Sequence, residues 1–213
     1  TIMLLCIAWS GYQLYLAYQP IDATIARAWH LAFAILLVFL AYPAFNEARP
    51  PFWVKLWRRL LPRRRRKRSL RGYIPLFDVA LGVIAAAAAL YIWWDYEGII
   101  MRQGIPSNAD VWIGVVMIIL LLEAARRALG LALPILGIIF LAYSFLGPYL
   151  PEILRHRGIP LDYVINDQYL STTGIFGVPL AVSTDFVFLF VLFGALLDRA
   201  GAGKYFIDVA FAG

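Results

Sequence analysis

The stretch Ile74–Trp94, IPLFDVALGVIAAAAALYIWW, decides the fold. It holds one charged side chain, Asp78, in a run as long as a bilayer-crossing helix, which needs about 20 apolar residues. The apolar positions are continuous and do not alternate with polar ones, so an outer-membrane barrel strand is excluded. Pro75 stands in the first turn, where a missing N–H costs little. Working outward, similar runs occupy Thr1–Tyr18, about Ala26–Phe45, Val111–Leu129 and about Leu131–Tyr149. Ser107-Asn108-Ala109-Asp110 reads as a capping box opening the Val111 run, and Gly130 and Pro134 mark the break after it. The expectation is an all-α, polytopic membrane protein with about six membrane segments.

The sixth segment, Ile175–Leu197, is expected to be interrupted. Gly177, Pro179 and the cluster Ser183-Thr184-Asp185 fall inside it. With Ser183 or Thr184 as N-cap, a regular helix would start near Asp185 and reach Asp198, about 20 Å, short of a bilayer core of about 30 Å. Breaks at membrane depth survive where protein or a water-filled cavity covers the backbone. Ser183, Thr184 and Asp185 are therefore the candidate substrate- or ion-binding residues, with helix capping as the plainer role.

Whole-chain composition agrees: of 213 residues, 62% are hydrophobic and 15% charged, with mean hydropathy +0.76. The net charge of +6 is concentrated between Arg49 and Arg71, around Arg63-Arg64-Arg65-Arg66-Lys67-Arg68. Between two apolar runs, such a stretch is a cytoplasmic loop facing anionic lipid rather than a nucleic-acid patch. Alternation then puts the N-terminus, Arg126, Arg127, Arg199 and Lys204 inside, and Gln19–Thr24, Glu97–Asp110 and Leu150–Gly174 outside. Arg155-His156-Arg157 runs against this order but is outweighed. Trp93, Trp94 and Tyr96 suit an outer aromatic belt, and Trp53 and Trp57 the inner interface. The chain begins inside an apolar run, with no basic leader region, and ends just after a new run, Tyr205–Ala212, has begun, so it reads as a piece of a longer protein.

Other ionisable groups read as structural. Asp78 lies in a first helical turn, where a negative charge suits the helix dipole, with Arg71 a heptad away. Glu123, Arg126 and Arg127 share one helix face at i, i+3 and i+4 and form an interfacial anchor whose arginines can snorkel. His30 and His156 are isolated, without zinc spacing. Gly201-Ala202-Gly203-Lys204 lacks the first Gly and the Ser/Thr of a phosphate loop. Nothing assembles a nucleophile, base and oxyanion hole, so no enzyme and no cofactor are expected. The residue pattern leaves two other readings, a different secondary transporter and a membrane-embedded lipid enzyme.

The segment Gly174-Ile175-Phe176-Gly177-Val178-Pro179-Leu180, followed by FVFLFVLFGALLDRAGAG over Phe186–Gly203, resembles the start of the large membrane subunit of tripartite ATP-independent periplasmic (TRAP) transporters. The runs before Gly130 are similar in layout to that family's small four-helix subunit, as in fused permeases. The resemblance implies a small-subunit-like domain at 1–130 and the start of the large transport subunit at 131–213. It also implies a multi-pass inner-membrane importer of organic acids with sodium as coupling ion. Expected partners are a periplasmic substrate-binding protein, the remainder of the large subunit and membrane lipids; nucleic acid is not among them.

Overall fold

In a computed structural model, the described residues are 2–19, 21–43, 75–102 and 104–201, together with 205 and 211. The basic stretch Arg49–Arg71, with Trp53 and Trp57, lies outside them. The elements are α1 (Ile2–Tyr18), α2 (Ala23–Ala41), α3 (Leu76–Trp94), short α4 (Tyr96–Met101), α5 (Asn108–Leu129), α6 (Ala132–Leu146), short α7 (Leu161–Ile165) and α8 (Val178–Arg199). Among the described residues there is no strand. Among the described residues five helices are long and apolar enough to cross a membrane, with α6 counted together with its 3₁₀ extension to Tyr149; α1 is a shorter apolar helix. The protein is an all-α polytopic membrane protein.

The boundaries follow local chemistry. The Asp22 carboxylate accepts from the backbone N–H of Thr24 and Ile25 and starts α2, three residues earlier than the apolar run suggests. Ser107 and Asp110 form the expected capping box at the head of α5. Gly130, at φ +93°, ends α5 in a conformation that only glycine adopts without strain and turns the chain into α6.

The core lies where α2, α3 and α5 meet. Ala28, Ala32, Ile35 and Phe39 of α2 face Ala85, Ala88, Ala89 and Ile92 of α3, and Met117, Leu120 and Ala124 of α5 close the third side. In lipid, helices gain by close packing rather than by leaving water, and the alanine run Ala85–Ala89 allows α2 and α3 to approach closely. Polar contacts at both ends set the relative directions. The Tyr96 hydroxyl donates to Asp22 at 2.8 Å, so the end of α3 lies beside the start of α2. At the opposite end Arg127 Nη1 donates to Asp78 at 2.7 Å and to the Tyr42 carbonyl at 3.4 Å. Helices α2 and α5 thus run antiparallel to α3.

The segment before α8 is more than a connecting loop. After α7 the chain makes a π-helical turn, Asn166–Leu170, which carries Tyr169 into the bundle. There the fully buried Tyr169 donates its hydroxyl to the Ala88 carbonyl at 2.6 Å. Ala88 is six residues before Trp94, so Tyr169 reaches about 9 Å past the helix end. The approach requires Gly114: a Cβ there would sit 2.5 Å from Ile165 Cγ2 and 2.9 Å from Tyr169 Cδ1. The expected outer stretch Leu150–Gly174 therefore returns to its own side but dips inward on the way.

Candidate functional site around the α8 turn

Helix α8 does not start near Asp185. It starts at Val178, after Gly177 as N-cap and with Pro179 in its first turn, and continues to Arg199. At about 33 Å it is long enough to span alone. The interruption is a π-helical turn over Ser183–Val187 within a continuous helix. The expectation of a capped break fails for a local reason: a proline in the first turn begins a helix as well as a polar cap does. The hydroxyls meant to cap are used elsewhere. Thr184 Oγ1 donates to the Leu180 carbonyl at 2.8 Å, four residues back, and Ser183 turns toward α2.

The turn separates its three polar residues. Ser183 Oγ lies 3.2 Å from His30 Nε2. On its other side the His30 ring meets the amide nitrogen of Gln13 on α1 at Nδ1, so Nδ1 accepts and Nε2–H donates to Ser183. Gln13 and His30 are both buried. The ring is flanked by Trp9, at 5.1 Å between centroids, and Phe188, at 5.9 Å. Thr184 is buried, whereas Asp185 is exposed. Asp185 lines a cleft of about 300 Å³ between α1, the head of α2 and α8, shared with Gln13, Thr184, Ala17 and Leu189. The turn as a whole is thus covered by protein at Ser183 and Thr184, but not at Asp185.

His30 was not isolated after all. Its partners lie 17 positions before it and 153 after it, so no local spacing could show the link. A histidine in an otherwise apolar helix was the available signal, since such groups face the bundle interior and pair. Just above, Arg27 Nη1 donates to the Phe176 carbonyl at 2.8 Å and holds the chain that enters α8.

The other ionisable groups form struts at the two ends of the bundle. Asp78 pairs with Arg127 rather than only serving its own helix dipole; the two side chains are 0% and 4% exposed. Arg127 is therefore buried, not snorkelling, and sits 4.5 Å from the Phe39 ring centre. Its partner Glu123 also binds Arg126, as the i, i+3, i+4 spacing indicated. At the other end Arg102 bridges Asp95 at 2.5 Å and Asp110 at 3.3 Å, and Tyr91 donates to Asp110 at 2.6 Å. The two carboxylates raise the pKa of Arg102 above its ordinary range. His156 packs on Tyr143, accepts from the Gly158 N–H at Nδ1 and donates from Nε2 to the Tyr143 carbonyl, which fastens the turn after α6. Among the described residues no three His, Cys, Asp or Glu side chains converge as a metal site.

A continuous apolar helix with a polar π turn, tied to α2 and through it to α1 and opening on a cleft, belongs to a polytopic helical membrane protein. Residues 116–213 match the family described as "Tripartite ATP-independent periplasmic transporter, DctM component", so this part of the chain is similar to the large component of that transporter family, in line with the resemblance seen in Phe186–Gly203. The match begins within α5. No curated protein and no solved structure gives a significant match.

Proposed function

We propose that the chain is the membrane permease part of a secondary active importer of organic acids, sodium-coupled and fed by a periplasmic binding protein. The match over residues 116–213 is the observation that carries this reading, because the family it names is a transporter component that works with a periplasmic partner. In this reading the helices before Gly130 are a small four-helix subunit fused to the start of the large one. Their shared core, with Tyr169 of the later segment anchored on α3, supports the two parts acting as one body. Helices α2 and α3, which flank the basic stretch, end and begin at the Arg127 side. The excess of Lys and Arg in that stretch orients the Arg127 side to the cytoplasm of a bacterial inner membrane, with the N-terminus inside. Of the three candidate site residues, Asp185 serves transport, while Ser183 and Thr184 hold the turn that presents it.

Uptake by the full-length permease in proteoliposomes tests the reading. Import of a carboxylate that requires both an inward sodium gradient and the loaded binding protein is the expected result. Uptake indifferent to both overturns it. Asp185→Asn is expected to leave expression intact and abolish sodium-dependent uptake; retained uptake would return Asp185 to a structural role. Topology is checked with single cysteines and an impermeant reagent in intact cells. A cysteine between Glu97 and Asp110 should react, and one between Arg49 and Arg71 should not.

A further inference from the structure

Arg155-His156-Arg157, which runs against the charge order of the other loops, has no part in the transport reading. It lies in the turn after α6, at the end of that helix away from Gly130 and Arg127. His156 is turned inward: its ring lies against Gly147, where a Cβ would not fit, and its bonds to Tyr143 and Gly158 fasten it. Arg155 and Arg157 on either side are exposed, and among the described residues neither guanidinium has a hydrogen bond or ion pair. Glu152, the acidic side chain of this turn, pairs with neither. Around them Tyr149 is 87% exposed and Ile153 96%. Large apolar side chains interleaved with free cations are poorly suited to water, but they match the level where hydrocarbon gives way to headgroups. Helical rise puts the turn at that level. Helix α6 with its extension climbs about 27 Å from Ala132 to Tyr149, against a hydrocarbon core of about 30 Å.

A groove continues downward from the same turn. The Ile159 N–H, two residues past Arg157, donates to the Ser144 carbonyl at 2.9 Å. Ser144 and Gln168 line the upper end of a groove of about 240 Å³ between α5 and α6. Phe140 lines it below, and Leu122 and Gly137 close it about 10 Å further down α6. Its polar side chains are thus confined to the end nearest the arginines.

We infer that this turn and the groove under it form a site for one anionic phospholipid, its phosphate held by Arg155 and Arg157 and an acyl chain lying along the α5–α6 groove. Two guanidinium groups without a carboxylate of their own call for an anion, and their paired N–H donors match phosphate oxygens. The groove calls for a flexible apolar chain attached to that anion, which a free phosphate or an acidic protein loop lacks. A zwitterionic lipid brings the same phosphate, but its ammonium group cancels the charge, so phosphatidylglycerol is favoured over phosphatidylcholine. With the orientation proposed above, the lipid belongs to the outer leaflet. There it offsets two positive charges that the distribution of basic residues would otherwise keep inside. The lipid site does not depend on the transport reading, and failure of either leaves the other standing.

The test places the full-length permease in phosphatidylcholine nanodiscs that carry a small share of a photoreactive lipid. This probe has a diazirine on its acyl chain and either a phosphatidylglycerol or a phosphatidylcholine headgroup. After illumination, adducts are located by peptide mass spectrometry. Over the groove, residues 118–122 and 137–144, the phosphatidylglycerol probe should give at least about fivefold more adduct, the factor carried by one basic residue at an anionic surface. On the exposed Phe190 and Phe193 face of α8 the two probes should label equally. Arg155→Gln with Arg157→Gln should bring the groove ratio down to that of α8. Equal labelling of the groove by both probes, or a groove that neither probe reaches, overturns the inference. A ratio that survives the double substitution also overturns it, and lost affinity for the periplasmic binding protein in that variant would then give the turn to protein docking. Loss of the ratio in an excess of inorganic phosphate would make this a free-anion site and overturn the lipid. If the double variant does not fold, the single Arg→Gln changes are read instead: each should lower the ratio, and an unchanged ratio in both overturns the inference.

Discussion

Helices α2 and α8 are both apolar and both long enough to span, with mean hydropathies of 1.9 and 2.3, yet 44% of the α2 span is buried and only 6% of α8. The more hydrophobic helix is the more exposed. In water that order would be a fault; in a bilayer it is expected, because lipid-facing side chains need only be apolar, while buried ones must also be small and complementary. Helix α2 meets Ala85, Ala88 and Ala89 of α3 and carries His30 at its centre. Helix α8 touches its neighbours chiefly along the face that holds Ser183 and Thr184 and leaves Phe190, Val191 and Phe193 outside. Hydrophobicity tells which segments enter the membrane; fit tells which of them form the core.

The sharpest way to break this contrast is to remove one half of the buried pair under α2. Asp78→Ala or Arg127→Ala should lower stability by up to about 3–5 kcal/mol, because each breaks a buried ion pair, with the loss smaller for Asp78→Ala, where Arg127 keeps Glu123. The double replacement Asp78→Leu with Arg127→Met should recover most of that loss. Denaturant titration of the purified protein in detergent reads both. Phe190→Ala on the outer face of α8 should stay within about 0.5 kcal/mol in the same assay. A comparable loss there would mean that α8 is packed, and the contrast would fail.

The next effect falls on the inward-dipping segment. Gly114→Val places side-chain atoms where Ile165 and Tyr169 already stand and should cost about 1–3 kcal/mol, read as a lowered melting temperature. Tyr169→Phe keeps the ring but leaves the Ala88 carbonyl without this donor, a loss of about 1 kcal/mol. Faster hydrogen exchange over residues 161–177 should accompany it, with α2 and α3 unchanged.

The smallest effect is acid sensitivity at the head of α2. Burial pushes the Asp22 carboxyl up, but hydrogen bonds from Tyr96, Thr24 and Ile25 outweigh it and hold the pKa below the usual carboxylate value. The folded form thus gains stability that is complete above the unfolded pKa of about 3.9 and lost as pH falls through the lowered folded value. In acid titrations between about pH 5 and pH 2, Asp22→Asn should flatten this slope slightly without moving the neutral-pH stability much, since Asn also caps. Unchanged curves would remove Asp22 from the account.

Much of the fold was legible. Residue type and run length alone locate the spans, because the bilayer demands about 20 apolar residues from any helix that crosses it. The capping box Ser107–Asp110 and the Glu123–Arg126–Arg127 face were also readable, since both act within four residues. The candidate site was legible only in part: Ser183, Thr184 and Asp185 were visible as polar residues in an apolar run, but not the form of the turn or its partners. Pro179 and the Ser183 cluster suit a new helix start and a helix continued through a π turn equally well. The difference lies in His30 and Gln13, distant in the chain, which draw Ser183 inward and leave Asp185 facing the cleft. The same holds for Arg127, which local spacing places at an interface and Asp78 draws into the core, and for Tyr169, which passes for loop until Gly114 gives it room. Sequence alone determined what the bilayer and the nearest neighbours along the chain require. Tertiary structure decided the pairings of buried polar groups, because only helix–helix contact brings together partners many residues apart, and a low-dielectric interior makes leaving them unpaired costly.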